Sequence, residues 1–193
     1  MKPLRNALSV CSWVRKIRSG SLRSWLSYAV DGVDNEIMIS QNGYFNILFQ
    51  RQHDLRSNFT GIRDNWFHYC LTWSLSSRTK TVYLNGQVIG SETTPEGRTL
   101  GIKGYIVIGN DQDGPPGQGM SEENIFGGEL YKLNFFAKEL KLSEVQEMAL
   151  DKCSQVEETY GDVRRVKWEK ILRKRRNGDV IEIKTECLPS KLT

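Results

Sequence analysis

Short runs of apolar and aromatic residues, separated by turn residues, repeat through the middle of the chain. The runs are residues 36–39, 44–49, 66–73, 80–84, 87–90, 105–108 and 129–136. Asn85-Gly86 separates two of them, and this pair favours a two-residue hairpin turn because both residues tolerate positive φ. Short strands at fairly even spacing predict an all-β protein, a sandwich of two sheets.

The run 66–73 alternates large side chains with smaller ones, which predicts a strand with one buried face. We expect its tryptophans, and the two phenylalanines that end the run 129–136, to belong to the sandwich core. His68 lies in the first of these runs without a serine or cysteine nucleophile pattern, so we expect a packed structural histidine. His53 is expected in a loop.

One helix is predicted after the last of these strands. Ser143 is expected to cap it, with Gln146 at the reciprocal position of a capping box. The apolar face of the helix would consist of Val145, Met148 and Ala149. We expect the helix to end near Lys152.

The stretch 109–128 is rich in loop residues and lies between two predicted strands. An irregular connection of this length inside a domain is usually functional or disordered, and this one opens with acids. Carboxylates two apart in Asp111-Gln112-Asp113 can converge on one point if the chain bends, and Asp34-Asn35 adds an acid and an amide. Such oxygens are the ligands of Ca²⁺. Taken alone, however, an Asp-x-Asp turn is more often merely solvated.

The composition is that of an ordinary globular protein. The chain has 193 residues, of which 38% are hydrophobic and 26% charged, and its mean hydropathy is −0.48. One domain is expected. No apolar run approaches the roughly 20 residues that span a bilayer, so no membrane span is expected. The first ten residues lack the apolar stretch of a signal peptide, so for a secreted protein we expect the chain to be truncated at its N-terminus.

Positive charge is concentrated in one stretch near the C-terminus. The net charge of the chain is +4, but the residues from Arg164 to Arg176 alone carry +7, which leaves −3 for the rest. Such a run can contact a polyanion such as heparin. The alternative, which we favour, is a solvated strand and turn, with Asn177-Gly178 leading into a hairpin.

Four cysteines, Cys11, Cys70, Cys153 and Cys187, are present without a C-x-x-C pair. Their spacing disfavours zinc ribbons and thioredoxin-like redox motifs, which need close pairs. Two disulfides or four buried thiols remain. Asn58-Phe59-Thr60 is a glycosylation sequon, which leans toward a secreted protein with a glycan on Asn58.

Six ordered blocks between about Ser9 and Trp168 resemble the pentraxin family. They are Leu26-Ser27-Tyr28-Ala29 with Asp34-Asn35-Glu36-Ile37, His68-Tyr69-Cys70-Leu71-Thr72-Trp73, Val82-Tyr83-Leu84-Asn85-Gly86, Ile108-Gly109-Asn110-Asp111-Gln112-Asp113, Phe126-Gly127-Gly128-Glu129-Leu130, and Asn134-Phe135-Phe136. The last residue of the last block is a tryptophan in the family pattern. Several blocks in order and at compatible spacing are far more specific than any one of them.

The resemblance implies a two-sheet antiparallel jelly-roll sandwich of the legume-lectin (concanavalin A) type, with one helix after the calcium-loop sheet. It also implies a disulfide between Cys11 and Cys70. We expect a pentraxin-like domain over residues 1–170, lacking its first strand and signal peptide, and a divergent basic extension over residues 171–193. A second disulfide, Cys153–Cys187, is expected to tie the extension back, with an intermolecular bond or free thiols as alternatives.

Two adjacent calcium ions are implied by the same resemblance. The ligands of the first ion fall on the side chains of Asp34, Asn35, Asp111 and Asp113 and on the main-chain carbonyl of Gln112. All the side-chain types of this set are kept, so we expect the first calcium site to be intact.

The second calcium site departs from the family pattern. The family reuses the two loop aspartates and adds an acid and, three residues later, a glutamine, and these two fall on Ser121 and Asn124. Asparagine can replace glutamine as an oxygen donor, but serine cannot replace a carboxylate. Because the loop is one residue longer than expected, Glu122 or Glu123 is the candidate for the acid.

The function implied is that of a secreted, lectin-like pattern-recognition protein of innate immunity. It would bind phosphorylated or carbohydrate ligands through its calcium ions and assemble into a ring of identical subunits. Ser40 stands where phosphocholine-binding pentraxins place an aromatic residue, so phosphocholine is not inferred. The alternative is a pentraxin-like adhesion domain of a larger extracellular protein, with weak or no calcium dependence. We do not expect an enzyme, because the E-x-D-x-x-E pattern of sandwich glycosidases is absent.

Overall fold

Eleven β-strands, within the part of the chain that the computed structural model describes, form two antiparallel sheets. The described residues are 6–16, 23–41, 45–50, 53–57, 65–93, 98–150, 159–161 and 163–166. In chain order the strands are β1 (Ala7–Lys16), β2 (Arg23–Val30), β3 (Val33–Gln41), β4 (Phe45–Phe49), β5 (His53–Ser57), β6 (Phe67–Ser74), β7 (Thr79–Leu84), β8 (Gln87–Thr93), β9 (Tyr105–Ile108), β10 (Gly128–Phe136) and β11 (Arg164–Val166). A helix, α1 (Leu142–Leu150), follows β10.

The six-stranded sheet has the order β11-β10-β1-β6-β7-β8, and the five-stranded sheet has the order β5-β4-β3-β2-β9. Each of the seven predicted runs overlaps one of these strands, and the prediction of an all-β sandwich with one helix is confirmed. β5 begins at His53, so the prediction of a loop there was wrong. None of the described helices is both long and apolar enough to cross a membrane.

Aromatic side chains join the two sheets across the core. The ring of Trp25 on β2 meets that of Tyr69 on β6 nearly at right angles, with centroids 5.2 Å apart. Phe49 on β4 meets Trp73 on β6 at 5.1 Å. All four side chains are buried, and tilted pairs at such distances add to the free energy gained by burying their area.

Strand β6 is buried along its whole length, which corrects the prediction of one buried face. Its outer face lies under α1, where a second apolar cluster forms. The cluster consists of Cys11, Cys70, Tyr83, Phe136, Leu140, Val145 and Met148. Phe136 therefore packs under the helix, outside the core between the sheets. Cys11 and Cys70 face each other across β1 and β6 and form the predicted disulfide.

The start of α1 also differs from the prediction. The helix begins at Leu142, so Ser143 lies inside it and does not cap it. The N–H of Lys141 donates to Oε2 of Glu144 at 2.8 Å, which is the reciprocal bond that we predicted for Gln146. The helix is described as far as Leu150, and the predicted end near Lys152 lies outside the described residues.

The predicted hairpin turn between β7 and β8 is confirmed. Asn85 has φ 47° and Gly86 has φ 77°, the positive values that a tight hairpin turn requires. The side chain of Asn85 is also used, because its Oδ1 accepts the N–H of His68 at 2.8 Å. The turn is thereby fixed to the neighbouring strand β6.

Candidate functional site

The acidic turn leaves the five-stranded sheet at the opposite end from Asp34. β9 runs antiparallel to β2, with Ile108 beside Leu26, whereas β3 begins at Val33, beside Val30 at the other end of β2. The turn must therefore fold back along β2 before its side chains can approach Asp34. The pairing of the strands alone therefore does not bring the Asp111–Asp113 turn next to Asp34-Asn35.

The side chain of Gln112 holds the turn in this folded-back position. Gln112 is fully buried, and its Nε2 donates to the carbonyl and the hydroxyl of Ser27 at 3.1 and 3.3 Å. The same Nε2 donates to the carbonyl of Tyr105 at 3.2 Å, while Oε1 accepts the N–H of Gly117 at 2.7 Å. The family resemblance gave a role only to the main-chain carbonyl of Gln112, and the anchoring role of its side chain was not predicted.

The carboxylate of Asp111 lies almost completely buried beside this anchor, with 4% of the residue exposed. Its Oδ1 accepts the N–H of Gln112 at 2.8 Å. Burial raises the pKa of Asp111, and although hydrogen bonds from Gln112 and Ser27 lower it, the negative charges of Asp113 and Asp34 raise it further. The carboxylates of Asp113 and Asp34 therefore each repel the negative charge of Asp111.

Asn35 supplies a buried amide oxygen next to Asp34 in the chain. The N–H of Asn35 donates to Oδ1 of Asp34 at 2.9 Å, which fixes the aspartate at the start of β3. Oδ1 of Asn35 is buried, and no described group donates a hydrogen bond to it. A buried oxygen without a donor is costly, so this atom is available to a cation.

The returning arm of the loop meets the acidic turn through Asn124. A short 3₁₀ turn covers Glu122–Asn124, and Nδ2 of Asn124 lies 3.3 Å from Oδ2 of Asp113. Glu122 and Glu123, the candidates for the second acid, are exposed on the same turn. The structure thus brings Asn124 to Asp113, as the predicted second site requires, and leaves the glutamates at the surface.

Two further residues shape this loop, and sequence reasoning gave neither a role. Asn110 accepts the N–H of Asp111 through Oδ1 at 2.8 Å and donates through Nδ2 to the carbonyl of Ser121 at 2.9 Å. Gly119 has φ 78°, and a Cβ there would lie 2.6 Å from the carbonyl carbon of Asp113. The two loop arms therefore pack as closely as a glycine allows.

Within the described ranges, no group of three or more histidine, cysteine, aspartate or glutamate side chains is placed to hold a metal ion by itself. The three carboxylates of the predicted first site, those of Asp34, Asp111 and Asp113, are therefore not gathered into such a group. The other predicted donors are the amide oxygen of Asn35 and the main-chain oxygen of Gln112. Such a mixed oxygen set suits calcium.

His68 is a packed structural histidine, as predicted. It is buried, and its ring lies 5.3 Å from that of Trp13 between centroids. Burial, together with the positive charge of Lys132, lowers the pKa of His68 to about 3. The imidazole is therefore neutral at physiological pH.

Several predicted residues lie outside the described residues. They are the glycosylation candidate Asn58, the cysteines Cys153 and Cys187, and the basic stretch beyond Val166. Ser40, at the position that bears on phosphocholine, is fully buried.

The fold and the loop together define a lectin-like sandwich with an acidic loop folded over one sheet. The family model described as "Pentaxin family" matches residues 1–181. The chain therefore belongs to the pentraxin family.

Relatives of two kinds match the chain. C-reactive protein 1.1 of Limulus polyphemus is 28% identical over 188 residues, which is 93% of this chain and 76% of that protein. Neuronal pentraxin-1 of Homo sapiens is 28% identical over 150 residues, 76% of this chain but only 34% of that protein. A sushi, von Willebrand factor type A, EGF and pentraxin domain-containing protein of Rattus norvegicus is 25% identical over 76% of this chain, which spans 4% of its length.

Among solved structures, a native heptameric SAP-like pentraxin from Limulus polyphemus superposes with a TM-score of 0.63. It is 23% identical, and the superposition covers 75% of this chain and 71% of that chain. At this identity the likeness shows the fold, and it confirms the jelly-roll, lectin-like sandwich.

Proposed function

We propose that this chain is a calcium-dependent ligand-binding module of the pentraxin type. The observation that carries the proposal is the buried Oδ1 of Asn35, which has no donor among the described residues and lies next to Asp34 in the chain. Asp111 adds a buried carboxylate that other acids repel. A cation at this place would satisfy the amide oxygen and offset the repulsion among the acids.

The first ion would be held by the side chains of Asp34, Asn35, Asp111 and Asp113 and by the carbonyl of Gln112. These groups come from β3 and from the folded-back turn, which the Gln112 side chain fixes to β2. When bound, calcium would supply a centre that accepts oxygens from a ligand.

A second ion would share the loop aspartates and use Asn124 with an acid from the 3₁₀ turn. The contact of Asn124 with Asp113 supports this placement. The amide would have to present its oxygen in place of Nδ2, a rotation that exchanges two nearly equivalent atoms. Glu122 and Glu123 are the candidates for the acid, and both are exposed on the turn that carries Asn124.

The ligands that we propose are phosphorylated or carbohydrate molecules, and the module binds them without chemical conversion. Assembly into a ring of identical subunits would multiply a weak affinity at each site. The Limulus relative of known structure is described as heptameric, which supports a ring but fixes no subunit number for this chain.

Capture on two resins tests this function, one carrying an immobilised phosphate monoester and one carrying immobilised galactose. We expect retention in calcium on at least one resin and release by EDTA. Asp111→Asn should abolish retention, whereas Asp31→Asn, which removes an exposed acid from the β2–β3 turn, should retain it. Retention that is equal in calcium and in EDTA would contradict the proposal.

A second candidate function is a pentraxin-like adhesion domain within a larger extracellular protein, with weak or no calcium dependence. It is favoured by relatives of which the chain covers only 34% or 4%. Adhesion to a partner that persists in EDTA would support this candidate over the first.

An extracellular location is proposed with either function, because the Cys11–Cys70 disulfide is of the kind that persists in oxidising compartments. The Cys153–Cys187 disulfide, a glycan on Asn58 and polyanion contact from Arg164 to Arg176 also stay proposals. Peptide mapping of the secreted protein under non-reducing conditions would test the first two.

A further inference from the structure

A buried carboxylate directly follows the predicted ligands on β3 and belongs to neither proposed ion. Glu36 is fully buried and accepts three hydrogen bonds. The guanidinium of Arg98 donates from Nη1 at 3.1 Å and from Nη2 at 2.5 Å, and the N–H of Gly101 donates at 2.6 Å. A forked arginine–carboxylate pair of this kind fixes direction as well as distance.

Three further hydrogen bonds, each to a main-chain carbonyl, extend this contact on both sides. The N–H of Gln50 donates to the carbonyl of Glu36 at 2.8 Å, and its Nε2 donates to the carbonyl of Arg98 at 3.0 Å. The hydroxyl of Tyr28 donates to the carbonyl of Gly101 at 3.0 Å. We call Glu36, Gln50, Arg98 and Gly101 the clamp.

The clamp joins the two arms of the proposed calcium site. Glu36 is the next residue after Asn35, and Arg98 begins the segment 98–104, which runs into β9 and then into the acidic turn. The segment also packs closely on the β2–β3 hairpin, since a Cβ at Gly101 would lie 2.7 Å from a methyl carbon of Val30.

We propose that the clamp positions the proposed calcium site, with Arg98 as a positioning residue that contacts no ion. This inference rests on the proposed calcium function. By holding β3 and the segment 98–104 at a fixed separation, the clamp sets the distance between Asp34-Asn35 and the folded-back turn. Calcium binding and closure of the clamp then stabilise one another, because coupling between two sites is reciprocal.

If Arg98 acts by positioning the site, its replacement should weaken calcium binding. If it acts only through its positive charge, its replacement by a neutral residue should strengthen calcium binding. A positive charge near the site repels Ca²⁺, so its removal would tighten binding if charge alone mattered. Loss of positioning weakens binding instead. Arg98→Lys separates the effects further, because lysine keeps the charge but lacks the planar fork that bonds both carboxylate oxygens.

The test is calcium titration by calorimetry on the wild type, Arg98→Gln and Arg98→Lys, with hydrogen exchange of the segment 98–104 measured with and without calcium. Lys103→Gln is the matched control, since it removes an exposed cation from the same segment. We expect both Arg98 variants to lose roughly tenfold or more in affinity, as outer partners of metal ligands do. The control should change less than about twofold. Calcium should slow exchange of the segment 98–104 in the wild type, and less so in Arg98→Lys.

Each other outcome overturns the inference in a recognisable way. If the wild type binds calcium and Arg98→Lys binds as well as it does, the clamp has no positioning role. If calcium leaves exchange of the segment 98–104 unchanged in the wild type, the coupling is absent, and this result needs no variant to fold. If the folded wild type binds no calcium, the proposed function fails together with the inference.

Discussion

The neutral, buried imidazole of His68 makes the stability of the fold depend on pH. Its pKa is about 3 in the folded chain, against about 6.5 for an ordinary histidine. The unfolded chain therefore binds a proton below pH 6.5 that the folded chain does not bind. The stability that this group contributes is complete above pH 6.5 and is lost progressively as the pH falls toward 3.

Between pH 7 and pH 5 this loss amounts to about 2 kcal/mol from linkage. For a chain of this length the corresponding fall in Tm is about 4–8 °C. The assay is urea unfolding at pH 7, 6 and 5 of the wild type and of His68→Gln, which cannot titrate. Acids such as Asp111 titrate equally in both proteins, so the difference between the two pH profiles isolates His68.

We expect His68→Gln to be less stable than the wild type at pH 7, because its amide replaces a ring packed on Trp13. The difference in the free energy of unfolding between the two proteins should be smaller by about 2 kcal/mol at pH 5 than at pH 7, since only the wild type loses the histidine contribution. Parallel pH profiles for the two proteins would contradict this prediction and would place the pKa of His68 in the folded chain near its ordinary value.

Three other substitutions test separate parts of the structure. Asn35→Ala should abolish calcium binding while leaving the Tm in EDTA within about 2 °C of the wild type, because no described residue donates a hydrogen bond to the buried oxygen; a large fall of the Tm in EDTA would contradict this. Gly119→Ala should destabilise by about 1–3 kcal/mol in chemical unfolding, since its positive φ and its contact with Asp113 leave no room for a Cβ. Replacing Cys11 and Cys70 together by alanine should cost about 2–5 kcal/mol in the same assay, and an unchanged midpoint would mean that the disulfide is dispensable.

The hydrophobic pattern predicts those strands that are marked by an apolar run and by turn residues next to it in the chain. Runs such as the one that became β9, and the Asn85-Gly86 turn, carry their structure in neighbouring residues. β1 is not predicted in this way, because polar residues interrupt it. Ser9 and Ser12 are nevertheless buried, and Ser9 donates to the carbonyl of Lys138 at 2.7 Å. Serine hydroxyls that bond to main-chain carbonyls can thus be buried in a central strand that the hydrophobic pattern does not predict.

Other features depend on contacts between distant parts of the chain. β6 is buried on both faces because α1 covers it, and no pattern within β6 indicates that cover. The start of α1 depends on which of several nearby polar side chains accepts a hydrogen bond from a free N–H before the helix. Glu144 accepts the N–H of Lys141, where we had predicted that Gln146 would form the corresponding bond.

The candidate site was predictable in its residues but not in its construction. Short motifs and the family resemblance pointed to Asp34, Asn35 and Asp111, and the structure places their acids within electrostatic reach. The folding back of the loop follows from the position of β9 in the sheet and from the buried bonds of Gln112. The clamp on Glu36 could not be predicted from the sequence either, because Arg98 lies 62 residues away in the chain.

The proposed calcium site is tested most directly by native mass spectrometry, which counts the calcium ions per chain on folded wild type, Asp111→Asn and the control Asp31→Asn. We expect at least one ion on the wild type and on the control, a second if a glutamate of the 3₁₀ turn completes the other site, and none on Asp111→Asn. A folded wild type that carries no calcium at millimolar concentration, or an Asp111→Asn chain that carries as many ions as the wild type, would contradict the proposed site.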